Sequence, residues 1–221
     1  MRGIVLRWFE SYVHNRFQSV VVDEALSTPS PLVYGVPQGS VLGPVLFTLY
    51  SQPMSDEIKE NDLQFHKYAD DTELSRSARP ESFGDARSAV QSCISDVQSW
   101  MNNNYLKLNP DKTELMTVGS PARLGLVGGD PLCIDGSDIQ LSTSVKYLGV
   151  KIDQTLSMQD HISSTCRASF LELRRIASIR KYLSTGAAAR LVSAMVTSRL
   201  DYCNSILAGL PAEQIARLQR V

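Results

Sequence analysis

The chain has 221 residues, of which 43% are hydrophobic and 20% are charged, a composition typical of a globular protein and unlike that of a disordered or fibrous chain. The longest apolar run, residues 41–50, is about half as long as a membrane span, and the N-terminus lacks the residue order of a signal peptide. These features argue against a membrane or secreted protein and predict an intracellular one, nuclear or cytoplasmic. The four cysteines include no Cys-x-x-Cys pair, which predicts buried thiols rather than disulfides or a zinc site.

The net charge of −1 conceals two differently charged parts of the sequence. Residues 1–156 contain 13 lysines and arginines against 19 aspartates and glutamates, a net charge of −6. Residues 157–221 contain 9 against 4, a net charge of +5. Such a division suits a protein that holds a phosphate backbone with one part and cations with the other, although it also arises by chance.

In chain order, the sequence first predicts a helix at residues 3–13, whose apolar residues recur every four positions and should dock on a core. Two short β-prone runs follow, residues 17–22 and 32–36, and the polar loop between them predicts a hairpin. Ser40 is predicted to cap a helix over residues 42–50, with Pro44 in or near its first turn.

The middle of the chain predicts a second hairpin and a long helix. Segments 64–70 and 72–77 are too short for helices, and they place Asp70-Asp71 at a hairpin tip. Residues 82–104 show apolar side chains at helical spacing after a capping-box pattern. Further strands are predicted at residues 115–118, 132–134 and 145–152, and two helical patterns follow from Met158 onward.

Asp70 and Asp71 are the first candidate functional residues. Neighbours on a regular strand face opposite ways, so two adjacent carboxylates can serve one cation only where the backbone turns. At a hairpin tip they offer the hard oxygen ligands that Mg²⁺ prefers, with coordination left for water and phosphate. This arrangement favours phosphoryl or nucleotidyl transfer, whereas an Asp-Asp pair without such a context is usually a solvated turn.

The segment Gly35-Val36-Pro37-Gln38-Gly39-Ser40 is the second candidate feature, and it ends shortly before the predicted helix. A glycine lets the backbone approach a ligand, and Gln38 offers donors and an acceptor near a helix N-terminus, where phosphate binds favourably. The local chemistry also fits a simple turn that caps a core helix, and taken alone it favours that alternative.

Four segments, in this order and spacing, resemble the reverse transcriptase of a non-LTR, LINE-type retrotransposon. They are GVPQGSVLGPVLFTLY at residues 35–50, HKYADDTEL at 66–74, LKLNPDKTELM at 106–116 and VKYLGVKID at 145–153. The resemblance covers almost the whole chain, and the jockey-like and chicken-repeat-like branches are the most similar. Each motif alone is modest, but four in register make a specific signal.

The resemblance implies an α+β fold in which residues 1–156 form part of a polymerase palm, an antiparallel sheet with packed helices that includes a primer-grip-like hairpin. Residues 157–221 would form an all-helical, basic, thumb-like region. The implied activity is RNA-directed DNA polymerase, a nucleotidyltransferase that extends a primer with two Mg²⁺ ions. The implied partners are an RNA template, a DNA primer and deoxynucleoside triphosphates, with no membrane.

The resemblance also implies roles for single residues. Asp70 and Asp71 would be the metal ligands, and Lys112 is the candidate for the palm lysine that meets the leaving pyrophosphate, with Lys107 as its competitor. As single residues, these lysines also fit a solvated surface. The other implied contacts are Pro37, Gln38, Gly39 and Tyr68 for nucleotide and template, Tyr147, Leu148 and Gly149 for the primer grip, and Arg174, Arg175, Arg180 and Lys181 for the nucleic-acid backbone.

One residue of the family has no counterpart in this sequence. The family carries a further catalytic aspartate on a strand before the Pro-Gln-Gly segment, whereas the acids before Gly35 are Glu10, Asp23 and Glu24, on the predicted helix and in the hairpin loop. The resemblance therefore predicts an incomplete two-metal site, a truncated chain and no activity of this fragment alone. The alternatives are a non-catalytic, nucleic-acid-binding remnant of a retroelement and an unrelated metal-dependent phosphotransferase.

Overall fold

A computed structural model describes residues 2–36 and 39–221, and these form two compact units. The first unit holds the described residues up to Ser77 together with Ser92–Leu106, and the second holds Ala78–Gln91 and Lys107–Val221. The fold class is α+β, as the sequence predicts. The strands pair as antiparallel, two-stranded sheets.

Short helices and hairpins make up most of the first unit. Its elements are α1 (Ile4–Val13), β1 (Arg16–Gln18), β2 (Val21–Val22), β3 (Ala25–Leu26), β4 (Ser30–Leu32), α2 (Gly43–Ser51), α3 (Met54–Glu60), β5 (Gln64–Tyr68) and β6 (Asp71–Ser75). The long helix α4 (Phe83–Asn103) begins in the second unit and ends in the first.

Two further hairpins and a helical region make up the rest of the second unit. Its elements are α5 (Pro121–Leu124), β7 (Leu132–Ile134), β8 (Ser137–Ile139), β9 (Ser144–Tyr147), β10 (Val150–Asp153), α6 (Gln159–Ile179), α7 (Thr185–Val192), α8 (Ser198–Asp201) and α9 (Ala212–Leu218). Short 3₁₀ turns lie at Pro80–Ser82, Pro110–Lys112, Arg180–Tyr182 and Asn204–Leu207, and a π-helical turn spans Ser193–Thr197.

The first helix forms as predicted, but the expected docking on a core is wrong. No residue of α1 is buried, and the Trp8 side chain is 49% exposed. The aromatic side chains pack on one another instead, since the Trp8 ring stacks on Tyr12 at 5.3 Å and meets the edge of Phe9 at 5.1 Å. Within the first unit, the buried apolar side chains belong to other segments, at Met54, Ile58, Leu63, Cys93, Ile94 and Val97.

The first predicted hairpin is present with different bounds. β1 pairs with β4, and β2, at the end of the first β-prone run, pairs with β3, which lies in the segment that the sequence assigns to a loop. Asp23 adopts φ 53°, which lets the chain reverse tightly between β2 and β3. The second strand therefore ends at Leu32 instead of beginning there.

The strand predictions of the second unit succeed where two strands pair. Residues 132–134 form β7, but residues 115–118 form no strand, and only Leu115 makes a bridge, to Leu141. Residues 145–152 form the hairpin β9–β10 and not one strand, because Leu148 and Gly149 turn the chain. The region after Met158 is helical and strand-free, as predicted.

The core of the second unit joins the hairpin β9–β10 to the helical region. Its buried residues are Val150, Met158, Ile162 and Leu207. Partly buried apolar side chains of β10, α6 and α9 surround them. Residues 157–221 therefore pack directly on the hairpin, while their assignment as a thumb stays a prediction.

The cysteines differ from the sequence expectation in their burial. Cys93 is fully buried and burial, followed by the charge of Asp96, raises the pKa of its thiol. Cys133 is exposed, and Cys166 and Cys203 are half-buried, so the prediction of buried thiols is right for one residue only; all four are free thiols. Across residues 2–36 and 39–221, no helix is both long and apolar enough to span a bilayer.

Candidate functional site

The predicted hairpin around Asp70 and Asp71 is confirmed. β5 and β6 pair up to Tyr68 opposite Asp71, which leaves Ala69 and Asp70 as a two-residue turn. Ala69 adopts φ 54°, in the left-handed region that tight hairpin turns use. Asp70 therefore lies in the turn, and Asp71 is the first residue of β6.

Both carboxylates are open to a ligand. Asp70 and Asp71 are exposed, and neither carboxylate has a hydrogen bond or ion pair with another described residue. Tyr68 lies directly opposite Asp71, so the two side chains share one face of the hairpin, and Tyr68 is 65% exposed. The structure thus brings three of the predicted site residues together at one hairpin end.

Asp70 and Asp71 fit a divalent cation in their chemistry, because carboxylate oxygens are the ligands that such ions prefer. Among the described residues, however, no group of three or more histidine, cysteine, aspartate or glutamate side chains could hold a metal ion. Asp70 and Asp71 thus stay the predicted metal ligands.

Lys67 anchors this hairpin from its other face, a contact that the sequence analysis missed. The Lys67 ammonium donates to the Ser51 carbonyl oxygen at 2.7 Å and to the Ser51 hydroxyl at 3.1 Å, at the end of α2. Ser51 is 3% exposed, and burial lowers the pKa of Lys67. A cation at a helix C-terminus interacts favourably with the last carbonyls, so the contact ties the hairpin to α2.

The Pro-Gln-Gly segment is described only from Gly39 onward, since Pro37 and Gln38 lie outside the described residues. Gly39 adopts φ 77°, which side chains disfavour. The Ser40 hydroxyl oxygen accepts from the Gly43 N–H at 3.1 Å and from the Tyr12 hydroxyl at 2.6 Å. The helix begins at Gly43 with Leu42 at its N-cap, so the prediction that Ser40 is the cap is wrong by two residues, although its hydroxyl still accepts from the first N–H of the helix.

The candidate lysines lie in the second unit. Lys107 and Lys112 are both exposed, and neither has an ion pair within the described part of the chain. Lys112 ends a 3₁₀ turn that Asn109 stabilises, because the Asn109 side chain accepts from the Asp111 N–H at 3.0 Å. The catalytic role of Lys112 stays a prediction.

The predicted primer-grip residues form the turn of the hairpin β9–β10. Tyr147 pairs with Val150, and the turn residues Leu148 and Gly149 adopt φ 45° and 84°, the pattern of a type I′ turn. The Tyr202 hydroxyl donates to the Leu148 carbonyl oxygen at 2.7 Å. A Cβ atom on Gly149 would lie 3.3 Å from Cε1 of the Tyr202 ring.

Tyr202 was missed as a site residue, because the sequence places it only in an apolar helical pattern. It lies 54 residues after Leu148, and nothing in the local spacing links the two. The sequence signal for such a contact is Gly149, because a glycine in a tight turn has no side chain and lets another residue approach closely.

Asp153 fixes the connection between β10 and α6. Its carboxylate accepts hydrogen bonds from the N–H groups of Thr155, Ser157 and Met158 at 2.7–3.1 Å and from the hydroxyls of Thr155 and Ser157 at 2.7 and 3.1 Å. Burial acts to raise the pKa of Asp153, but these hydrogen bonds outweigh it and hold the pKa below its usual range.

The four basic candidates lie on α6 and the turn after it, and all are exposed. Arg175 pairs with Glu172 at 2.9 Å, and Arg180 donates to the Leu183 carbonyl oxygen at 2.8 Å. The Lys181 ammonium lies 4.9 Å from the Tyr182 ring centre. Arg174 has no ion pair or hydrogen bond among the described residues, so its guanidinium is the most available of the four.

Comparison with known proteins gives a family and several relatives. Residues 2–152 match the family described as "Reverse transcriptase (RNA-dependent DNA polymerase)". The chain is 29% identical over 201 residues to the RNA-directed DNA polymerase from mobile element jockey of Drosophila melanogaster, covering 87% of this chain and 21% of that protein. It is 29% identical over 180 residues to the probable RNA-directed DNA polymerase from transposon BS of the same species, covering 76% and 18%.

A third relative shows the same relationship. The probable RNA-directed DNA polymerase from transposon X-element of Drosophila melanogaster is 29% identical over 156 residues, covering 70% of this chain and 16% of that protein. The chain therefore spans about a fifth of the length of the curated relatives that it matches. No solved structure matches the chain.

Proposed function

Since the chain belongs to the reverse transcriptase (RNA-dependent DNA polymerase) family, we propose that its residues act in an RNA-directed DNA polymerase of a non-LTR retrotransposon. The observation that carries this proposal is the hairpin turn at which Asp70 and Asp71 are exposed and free of protein partners. The names of the relatives, all RNA-directed DNA polymerases of mobile elements, support it. The substrates would be an RNA template, a DNA primer and deoxynucleoside triphosphates.

Reverse transcriptases generally use divalent metal ions, and we assign Asp70 and Asp71 as the residues that would hold Mg²⁺ here. When bound, such an ion stabilises the attacking and leaving oxygens of the transfer. Tyr68 shares the face of Asp71 and would contact the primer terminus. Gly39 would line the nucleotide pocket, and Lys112 would meet the leaving pyrophosphate.

The 221-residue chain by itself should bind Mg²⁺ weakly and should not extend a primer. Two carboxylates hold this strongly hydrated ion poorly, so we expect a dissociation constant on the order of millimolar or weaker. Loss of one ligand also removes stabilisation worth several kcal/mol from the transition state, which lowers turnover by orders of magnitude. A longer polypeptide that includes the family's preceding aspartate-bearing strand should be active.

Primer extension on an RNA template tests the proposal in that longer polypeptide, with Asp70→Asn compared with Asp23→Asn. Asp23 is a matched control, because it also precedes a second acid at an exposed turn between two paired strands of the first unit. Asparagine tolerates the left-handed backbone of Asp23, so this variant should fold normally.

We expect Asp70→Asn to abolish synthesis and Asp23→Asn to leave it unchanged. Synthesis that survives Asp70→Asn would contradict the assignment of the hairpin. Extension by the 221-residue chain that stops on Asp70→Asn would show instead that Glu10, Asp23 or Glu24 completes the ligand set.

A further inference from the structure

The turn that ends helix α4 holds Tyr105 in a left-handed backbone conformation. The Leu106 N–H donates to the Met101 carbonyl oxygen at 2.8 Å, and the Tyr105 N–H donates to the Asn102 carbonyl oxygen at 3.4 Å. These two bonds form the Schellman motif, which ends a helix with one left-handed residue. That residue is Tyr105, with φ 54°.

Tyrosine is an unfavourable residue at this position of the turn. In the left-handed region a Cβ atom crowds the backbone, so glycine is the residue that most often ends a helix in this way. The Tyr105 side chain gains no packing in return, because it is 90% exposed, and its hydroxyl has no hydrogen bond with another described residue. The described fold would therefore be more stable with glycine at residue 105.

Hydrogen bonds hold the turn in this shape despite the strain. The Asn104 side-chain amide donates to the Trp100 carbonyl oxygen at 2.8 Å. The Tyr50 hydroxyl, from α2 in the same unit, donates to the Asn104 carbonyl oxygen at 2.6 Å. Because that carbonyl group and the Tyr105 N–H belong to one planar peptide, Tyr50 fixes the backbone directly before Tyr105. Strain that is maintained in this way is typical of ligand-binding positions.

The exposed groups next to Tyr105 are amides and a second aromatic ring. Asn102 and Asn103 are exposed, and a carboxamide both donates and accepts hydrogen bonds. Tyr50, whose hydroxyl reaches the peptide before Tyr105, is 47% exposed. Flat rings beside amides suit a planar ligand that carries donors and acceptors on its edge. A nucleobase has both properties.

We propose that Tyr105 is a stacking platform for an unpaired nucleobase of a single-stranded nucleic acid, and that the strained turn serves to present its ring. The proposal rests on the proposed function, which brings a single-stranded template to the chain, and it concerns a residue outside the candidate site residues named above. Stacking tolerates any sequence, because every base has a flat π face. Removal of the ring should leave the salt dependence of binding unchanged, since no phosphate contact is lost.

Fluorescence anisotropy of the 221-residue chain with two labelled probes tests the stacking. The probes are a single-stranded oligodeoxyadenylate and an abasic strand of equal length, which carries the same phosphates but no bases. Tyr105→Gly should weaken binding of the oligodeoxyadenylate about tenfold and leave binding of the abasic strand unchanged. Tyr105→Phe keeps the ring and should bind both probes as the unaltered chain does.

Thermal unfolding of the same variants distinguishes a lost contact from a folding defect. Tyr105→Gly relieves the left-handed strain and should raise the melting temperature by about 2 °C while it weakens binding. Asn15→Gly is the matched control, because Asn15 is an exposed, left-handed residue two positions after a helix of the same unit, with φ 52°. Asparagine tolerates this region, so Asn15→Gly should change neither the melting temperature nor the affinity appreciably.

The outcomes separate this inference from the proposed function. Equal affinity of Tyr105→Gly and Asn15→Gly for the oligodeoxyadenylate would overturn the stacking and indicate a protein partner for Tyr105 instead. Equal losses on both probes would overturn it as well, because they would mark a phosphate contact. A lower melting temperature of Tyr105→Gly would overturn the claim of strain. Absence of binding by the unaltered chain at about 50 mM salt would overturn this inference alone, because Asp70→Asn in the longer polypeptide tests the polymerase assignment separately.

Discussion

Two hairpins of this chain, β5–β6 and β9–β10, both close through two-residue turns but are anchored at different points. The first is held along its strand by Lys67, and the carboxylates of Asp70 and Asp71 at its turn have no hydrogen bond or ion pair with a described residue. The second is held at the turn itself by Tyr202. The difference shows that a hairpin turn of the same length can be left without side-chain contacts or fixed by a residue from a distant segment.

The anchors also differ in chemistry. The first hairpin is held by the Lys67 ammonium at the end of a helix. The second is held by the neutral Tyr202 hydroxyl, and the Tyr202 ring lies next to Gly149. The second hairpin ends at Asp153, whose carboxylate binds the N–H groups of Ser157 and Met158 just before α6. We therefore expect substitutions around β9–β10 to affect stability more than substitutions at the open turn.

The largest effect on stability should come from Asp153→Ala. This change removes the acceptor of five hydrogen bonds at the start of α6, and we expect a loss of about 2 kcal/mol in the free energy of unfolding. Urea unfolding followed by circular dichroism measures it. Asp70→Ala is the control, because the Asp70 carboxylate has no partner, and an equal loss in both variants would contradict the contrast between the hairpins.

Gly149→Ala should have the next largest effect and lower the free energy of unfolding by about 1–2 kcal/mol. The backbone of residue 149 is left-handed, and the new Cβ atom would crowd the Tyr202 ring. A double-mutant cycle with Tyr202→Leu separates these causes, because the backbone strain cancels and the contact with the ring does not. We expect the double variant to be less destabilised than the sum of the single ones. Strict additivity would show that the ring does not contact this turn.

Lys67→Met should cost about 1 kcal/mol, since it removes two hydrogen bonds to Ser51 while it keeps most of the aliphatic stem. Thermal unfolding measures the change. Lys59→Met, at an exposed surface pair, is the matched control and should be nearly neutral. A neutral Lys67→Met would mean that the first hairpin is not anchored by this contact.

The smallest effect concerns pH. The lowered pKa of Asp153 means that its ionised form stabilises the fold above the unfolded pKa of about 4, and that this contribution is lost as the pH falls through the lower folded pKa. The stability difference between the unaltered chain and Asp153→Asn should therefore shrink as the pH falls below about 4. A difference that stays constant over this range would contradict the role of the carboxylate charge.

The sequence predicts those parts of the molecule whose signal is local. The helix at residues 83–103 and the hairpin at Asp70-Asp71 follow from periodicity and from a polar turn between short β-prone runs. The four motifs identify the family. The open position of Asp70 and Asp71 is likewise a consequence of the turn alone.

Contacts between distant segments are what the sequence does not predict. Three features depend on how separate elements pack. They are the hydrogen bond of Tyr202 to Leu148, the hydrogen bond of Lys67 to Ser51 and the exposure of α1. An amphipathic pattern predicts a helix but not what covers it, which explains why the expected docking of α1 is wrong. The hairpin β2–β3 was missed because Asp23 supplies a turn that composition alone assigns to irregular structure.

Paramagnetic line broadening by Mn²⁺ in NMR spectra of the 221-residue chain is the most direct test of the central assignment, because it detects weak metal binding without requiring activity. We expect broadening to begin at the amides of Ala69, Asp70 and Asp71 and to disappear in Asp70→Ala, while Asp23 and Glu24 are affected only at a higher Mn²⁺ concentration. Broadening centred on Asp23 and Glu24, or unchanged at residues 69–71 in Asp70→Ala, would contradict the assignment of this hairpin as the metal-binding turn.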